Sequence, residues 1–437
     1  MDADIAAEAA LLPANRRPLT ASVGESHDLW AAALFLTNLL VVAYIAMVVD
    51  PCSSDYNRKI ALLLSIYVRF SIGILVVGLL ALTCMLRYPS STIKFMLYSI
   101  WIYYALFAVL ILNSGSTRDI INACISGAFC IRFTQIAWSQ IARSSTPFPT
   151  AALSIARKAL GAHKLSLGIF FCLVGGLTLS WMILCFTTTL KLVGGLYPDH
   201  SHLIGVSLFF CLLSLYWGCQ VANTVVAATV SGTVAHWWYE PTTRLPVLAS
   251  FWRSVSKSFG SLCLGGLTVS VVGVFCSIMT AVKRGYGRRN DREPGGFRQS
   301  EERVGNLNYF NKYAYCYIAA YGYDFKKSGQ CVMRLLGATG WMDIIEKEHG
   351  SQLVVVPYLC MTALMPLVYE LLSDPSFPSY DKEVFVVLPF VGGAAASAVG
   401  FVLSTIIDSG VSMVYVCYAE GEDTLMVTLR TLFFINH

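Results

Sequence analysis

Residues 203–235 read LIGVSLFFCLLSLYWGCQVANTVVAATVSGTVA, thirty-three consecutive positions without a charged side chain. A helix needs about 20 mostly apolar residues to cross a bilayer, so this stretch is a membrane span with residues to spare. The remainder of the chain agrees with it. Of 437 residues, 56% are hydrophobic and only 13% are charged, where a soluble domain carries about 25% charge. The balance excludes disordered, fibrous and small disulfide-stapled classes and argues against a soluble enzyme. The fold class expected is all-α, a polytopic transmembrane helix bundle of about nine to ten spans.

Working outward, further windows lie at 29–49, 60–86, 93–112, 120–142, 165–186, 261–282, 353–372 and 384–407. Residues 1–28 contain acids, Pro13 and Arg16–Arg17 ahead of a long apolar run, which reads as a cytoplasmic tail rather than a cleaved signal peptide. Residues 29–437 then form one transmembrane domain, with a basic loop and an amphipathic segment at 284–352 placed on the cytoplasmic side. A second amphipathic stretch at 146–162 sets Ala152, Ile155, Ala156 and Ala159 against Arg157 and Lys158, suiting a helix lying along the membrane surface.

Short loops fix orientation through their lysines and arginines. With the N-terminus inside, Arg16, Arg17, Arg87, Lys94, Arg143, Arg157, Lys158, Lys164, Arg244, Arg253 and Lys257 are internal. Only Arg58, Lys59, Arg118 and Lys191 are external. Simple alternation would put the seven basic residues of 283–303 outside. Three readings restore them to the inside: a re-entrant 261–282, a different crossing by 203–235, or a tenth span at 307–321.

Chemistry is sparse. The fourteen cysteines fall mostly in apolar windows, where a free cysteine behaves as a small hydrophobe. No CxxC or Cys/His cluster has metal spacing, and no hydrolase or zinc-protease motif is present. Neither a cofactor nor a metal is expected. No basic run is interleaved with aromatics, so no nucleic-acid partner is expected either. Ionisable residues inside spans are candidates by default. Arg69 and Arg132 lie mid-window, with snorkelling or pairing to backbone as the bland alternative, while Glu370 and Asp408 fall at span ends.

Tyr216 and Trp217 sit inside the 203–235 window, followed by Gln220, Asn223 and Thr224. At helical spacing Trp217, Gln220, Asn223 or Thr224, and Ala227 share a face, with Tyr216 about 100° away. Indole plus neutral polar groups suits a quaternary ammonium, because the ring face attracts the cation and no counter-charge needs burying. The alternative is that these polar groups only join neighbouring helices.

Residues 311–328 read NKYAYCYIAAYGYDFKKS. This resembles the signature of the choline transporter-like protein family, N-x-x-A-Y-x-x-I-A-x-Y-G-x-x-F-x-x-S. The matching positions are Asn311, Ala314, Tyr315, Ile318, Ala319, Tyr321, Gly322, Phe325 and Ser328. Residues 250–266, SFWRSVSKSFGSLCLGG, are similar to the family's basic segment ending in Gly-Ser-Leu before a span. Residues 217–239 resemble its Trp-containing span that ends in paired aromatics, and Arg69 falls where members carry an arginine in the second span.

The chain also departs from the pattern. Its loop after the first span is only ten residues, 50–59, where animal relatives carry a large glycosylated one. The paired glutamines lower in the Trp217 helix are Val226 and Ala227 here. The C-terminal pattern keeps Cys417, Tyr418 and Glu420, with Ser412 in place of the leading aspartate and Asp408 one turn earlier.

The resemblance implies carriage of choline, with ethanolamine or related organic cations alongside, across a plasma or organelle membrane by alternating access. It makes Trp217, Gln220, Tyr216, Asn223, Thr224 and Arg69 substrate-binding candidates, and membrane lipids the surrounding partner. Lys312, Lys326 and Lys327 suggest that the signature segment is an interfacial helix bracing the spans. The competing readings are a membrane-embedded enzyme of phospholipid head-group metabolism and a non-transporting scaffold or receptor.

Overall fold

The computed structural model describes residues 26–48, 54–88, 147–196, 201–240, 243–268, 311–338 and 382–420, and every regular element among them is helical. In chain order these are α1 Leu29–Val48, α2 Ser54–Arg87, α3 Pro147–Gly161, α4 Lys164–Leu196 and α5 Ser201–Tyr239. They continue with α6 Pro246–Ser256, α7 Phe259–Thr268, α8 Ala314–Tyr321, α9 Phe325–Ala338 and α10 Lys382–Glu420. Five stretches are long and apolar enough to cross a membrane: Leu29–Val48, Tyr67–Arg87, Lys164–Leu192, Gly205–Tyr239 and Ala394–Glu420. The chain is a multi-pass helical membrane protein.

The windows at 93–112, 120–142 and 353–372, most of 261–282, and with them Arg132 and Glu370, lie outside the described residues. The last window needs correction. The helix does not end near residue 407 but runs unbroken from Lys382 to Glu420. Asp408 therefore sits within it and Glu420 closes it. The small and apolar run after Asp408 (Ser409, Gly410, Val411, Met413 to Cys417) keeps the helix buried, so one half-buried carboxylate does not stop it.

The helices sort into two compact units, each assembled from separated parts of the chain. In the unit formed by 38–222 and 348–408, α2 packs along α4. Gly78 admits the Phe171 ring and the Val399 side chain, and Gly175 admits Leu75; a Cβ at either glycine would collide. The Tyr67 hydroxyl donates to the Leu179 carbonyl at 3.1 Å. Threonines within α4 return their hydroxyls to the preceding turn, as Thr178 does to Val174 at 2.8 Å, which satisfies them without water. Leu165, Ile169, Leu173 and Leu177 form an exposed apolar stripe along α4, as expected where the solvent is lipid.

Helix α3 buries Ala152, Ala156, Ala159 and Leu160, and Arg157 donates to the Arg87 carbonyl at the end of α2, 3.3 Å away. Lys191, expected in an outer loop, lies within α4 and donates to the Ala46 carbonyl in the last turn of α1 at 2.8 Å. It caps carbonyls that a helix end leaves unpaired. The C-terminal ends of α1 and α4 are thereby held at one level.

The unit formed by 1–37, 223–347 and 409–437 is built around α8, all eight of whose residues are buried. Tyr315, Ile318 and Ala319 meet Val225, Ala227, Ala228, Leu262 and Phe325 in one apolar cluster. Within the segment expected as an interfacial helix, α8 is an interior strut, and Lys326 and Lys327 belong to the first turn of α9. The faces of α8 carry no charge, and the flanking lysines fall outside the helix itself: Lys326 is exposed, and the Lys327 ammonium lies 4.4 Å over the Tyr323 ring.

Candidate functional site

The first half of α5 and its neighbours place an aromatic and amide cluster inside the first of these units. Trp217 is buried, 6% exposed, and Tyr216 and Gln220 are half-buried on either side of it. One turn before Trp217, the Ser214 hydroxyl donates to Asn38 Oδ1 at 2.7 Å, and the Ser214 carbonyl accepts from Trp181 Nε1 at 3.3 Å. The Trp181 ring lies directly on Gly218, where any Cβ would overlap the indole. Two tryptophans, one from α4 and one from α5, thus flank the same turn of α5, and only glycine at 218 lets them approach.

Asn38 adds a polar group that the sequence reading passed over. Its Oδ1 is taken by Ser214, but its Nδ2 is buried and has no partner among the described residues. An unmet amide donor in an apolar interior costs about 1–3 kcal/mol. Its signal in the sequence was a lone asparagine in an otherwise apolar first span.

The other candidates separate. Asn223 and Thr224 follow on α5 and are buried; Thr224 donates to the Leu262 carbonyl at 3.1 Å, so its hydroxyl joins α5 to α7. Arg69 is exposed on α2, on a different side from buried Tyr67. It is not gathered with Trp217 and Gln220.

In the second unit the signature residues resolve into parts of one brace. Asn311 Oδ1 accepts from the Ala314 amide at 3.1 Å, capping α8. Gly322 ends the helix with φ 70°, a left-handed conformation that only glycine adopts without strain, and returns its N–H to the Ile318 carbonyl at 2.9 Å. Ala319 leaves room at the crossing where Ser250 meets Gly232. Phe325 and Tyr315 fill the space over Gly265, and the Asp28 carboxylate bonds the Ser261 hydroxyl at 2.7 Å and the Phe325 amide at 3.4 Å.

Glu420, at the end of α10, draws this brace together. It accepts from Tyr239 at 2.7 Å and from Tyr321 at 2.9 Å, and Tyr317 is a third phenol beside it. The Arg253 guanidinium donates to the Ala320 carbonyl at 3.0 Å. Burial pulls Arg253 below the usual arginine value, and the charge of Glu240 opposes that shift.

Residues 60–423 match the family model described as plasma-membrane choline transporter. Relatives named Protein PNS1 are similar over shorter stretches. That of Debaryomyces hansenii is 29% identical over 253 residues, 54% of this chain and 48% of the relative. That of Candida glabrata is 32% identical over 146 residues, 30% and 26%, and that of Saccharomyces cerevisiae 27% over 210 residues, 43% and 37%. The chain spans about half the length or less of these relatives.

Proposed function

The chain belongs to the plasma-membrane choline transporter family, and we propose that it carries choline, and related organic cations such as ethanolamine, across the plasma membrane by alternating access. The observation that supports this most is the buried Trp217 with Trp181 beside the same helix turn. A quaternary ammonium cannot donate a hydrogen bond, so it is recognised by ring faces and shape. Trp217 stacks on the trimethylammonium in this reading. Gln220 and Asn38, whose Nδ2 has no partner among the described residues, are suited to the hydroxyl end.

The test is choline affinity of the purified protein. A desolvated cation–π contact is worth about 2 kcal/mol, so Trp217→Ala weakens binding roughly ten- to thirty-fold, and Trp217→Phe retains part of it. Asn38→Leu erodes the preference for choline over tetramethylammonium, which lacks the hydroxyl. Unchanged affinity in a folded Trp217→Ala protein would move the site elsewhere.

A further inference from the structure

Helix α6 is apolar on two sides. Inward it buries Val247 beside Ser250 and Ser254 and packs Phe251 against the core, while outward it exposes further large apolar residues. Ser250 and Ser254 are each 4% exposed, whereas Leu248 is 58% and Trp252 69% exposed. Leu248, Trp252 and Val255 follow at helical spacing on one face, and Leu245 at the N-cap extends it. With the inward side already filled, an exposed apolar face of this size meets something other than water.

We propose that α6 lies in the plane of the membrane interface and binds the anionic headgroup layer of the cytoplasmic leaflet. Length rules out a crossing, since eleven residues make a helix of about 17 Å against roughly 30 Å of hydrocarbon. Position fits an interfacial element: α6 begins seven residues after α5 ends at the aromatic run Trp237–Trp238–Tyr239, the residue types that mark the headgroup level. Charge selects the lipid. From Thr243 to Ser258 the chain holds Arg244, Arg253 and Lys257 and no acid, and the acid just before them, Glu240, lies 3.6 Å from His236 and acts on inward-turned Arg253. Arg244 is exposed, Lys257 stands just past the helix end, and Arg253 turns inward to the Ala320 carbonyl. Two cations therefore flank an outward Leu–Trp–Val face, the composition of a helix that seats its apolar side among acyl chains and its basic ends among phosphates.

The inward side of α6 touches the signature brace through Arg253 and through Ser250 at the Gly232 and Ala319 crossing. Lipid held by the outward face thus bears on the helix that α8 rests against.

The experiment uses the full-length protein in vesicles whose lipids carry bromines either near the headgroup or deep in the acyl chains. The emission of Trp252 is taken as wild type minus Trp252→Phe, with Trp252→Tyr as the replacement if the first variant fails to elute as a single species. The expected difference emission is quenched more by shallow than by deep bromines. It is also quenched more by brominated phosphatidylserine than by brominated phosphatidylcholine. Arg244→Gln with Lys257→Gln lowers that anionic preference, by roughly five-fold per charge. If the difference emission is insensitive to bromine at both depths, the proposal fails; a blue-shifted but unquenched Trp252 would assign the face to a second copy of the chain. Equal quenching by the two headgroups would overturn the anionic assignment.

Discussion

A half-buried carboxylate is held in place by what donates to it, and Glu420 receives Tyr239 and Tyr321 from two different helices. Hydrogen bonds to a charged group are worth about 1.5–3 kcal/mol each. Glu420→Ala removes these bonds and strands the phenols, Tyr317 among them, so it lowers stability by about 3 kcal/mol or more. Glu420→Gln, which keeps an acceptor, loses less. Unfolding in mixed micelles measures both, and an alanine variant as stable as wild type would show the phenols re-paired at no cost. Gly218 offers a second test at this scale. A side chain there collides with the Trp181 ring, so Gly218→Val abolishes choline uptake while Gly218→Val with Trp181→Ala regains fold, though not affinity. Neither Glu420 nor Asn38 stood out in the sequence as a partner. The Glu420–Tyr239 and Asn38–Ser214 bonds close over 181 and 176 residues, a separation that no local pattern encodes.

The elements were more legible than their partners. Hydropathy alone located α1, α4 and α5, because a run of apolar residues long enough to cross a bilayer has no competing reading. It misjudged α10, where one carboxylate was taken as an end although packing carries the helix a further twelve residues to Glu420. It misjudged α8 differently. Flanking lysines suggested an interfacial helix, but the uncharged octapeptide AYCYIAAY, capped at each end, is buried on every side. That reading makes its caps consequential. Asn311→Ala costs about 1 kcal/mol as a lost cap. Gly322→Val costs about 1–2 kcal/mol, because a β-branched residue is strained at φ 70°. Both lower the unfolding midpoint in detergent and leave choline affinity per folded molecule near wild type. An affinity loss matching that of Trp217→Ala would instead draw the brace into the site. Helix α6 is legible in the sequence only as part of the basic segment 250–266, and which of its sides faces inward is not legible there.

At the scale of the whole molecule, the lysine and arginine bias of the short loops leads to the expectation that residues 1–28 and the basic stretch 283–303 share the cytoplasmic side. In sealed right-side-out vesicles, protease added outside is expected to leave both segments intact and to cut them only after permeabilisation. Cleavage of the basic loop from outside would reverse that half of the orientation. What joins these scales is the claim that a neutral aromatic and amide cluster, without a buried counter-charge, moves a quaternary ammonium across the bilayer. The measurement that tests it most directly is uptake of radiolabelled choline by the purified protein in liposomes, with Trp217→Ala alongside. Saturable uptake, competed by unlabelled choline and strongly reduced in the variant at low choline, is the result predicted. No uptake under either a pH gradient or a membrane potential, from protein that is folded and inserted, would contradict it.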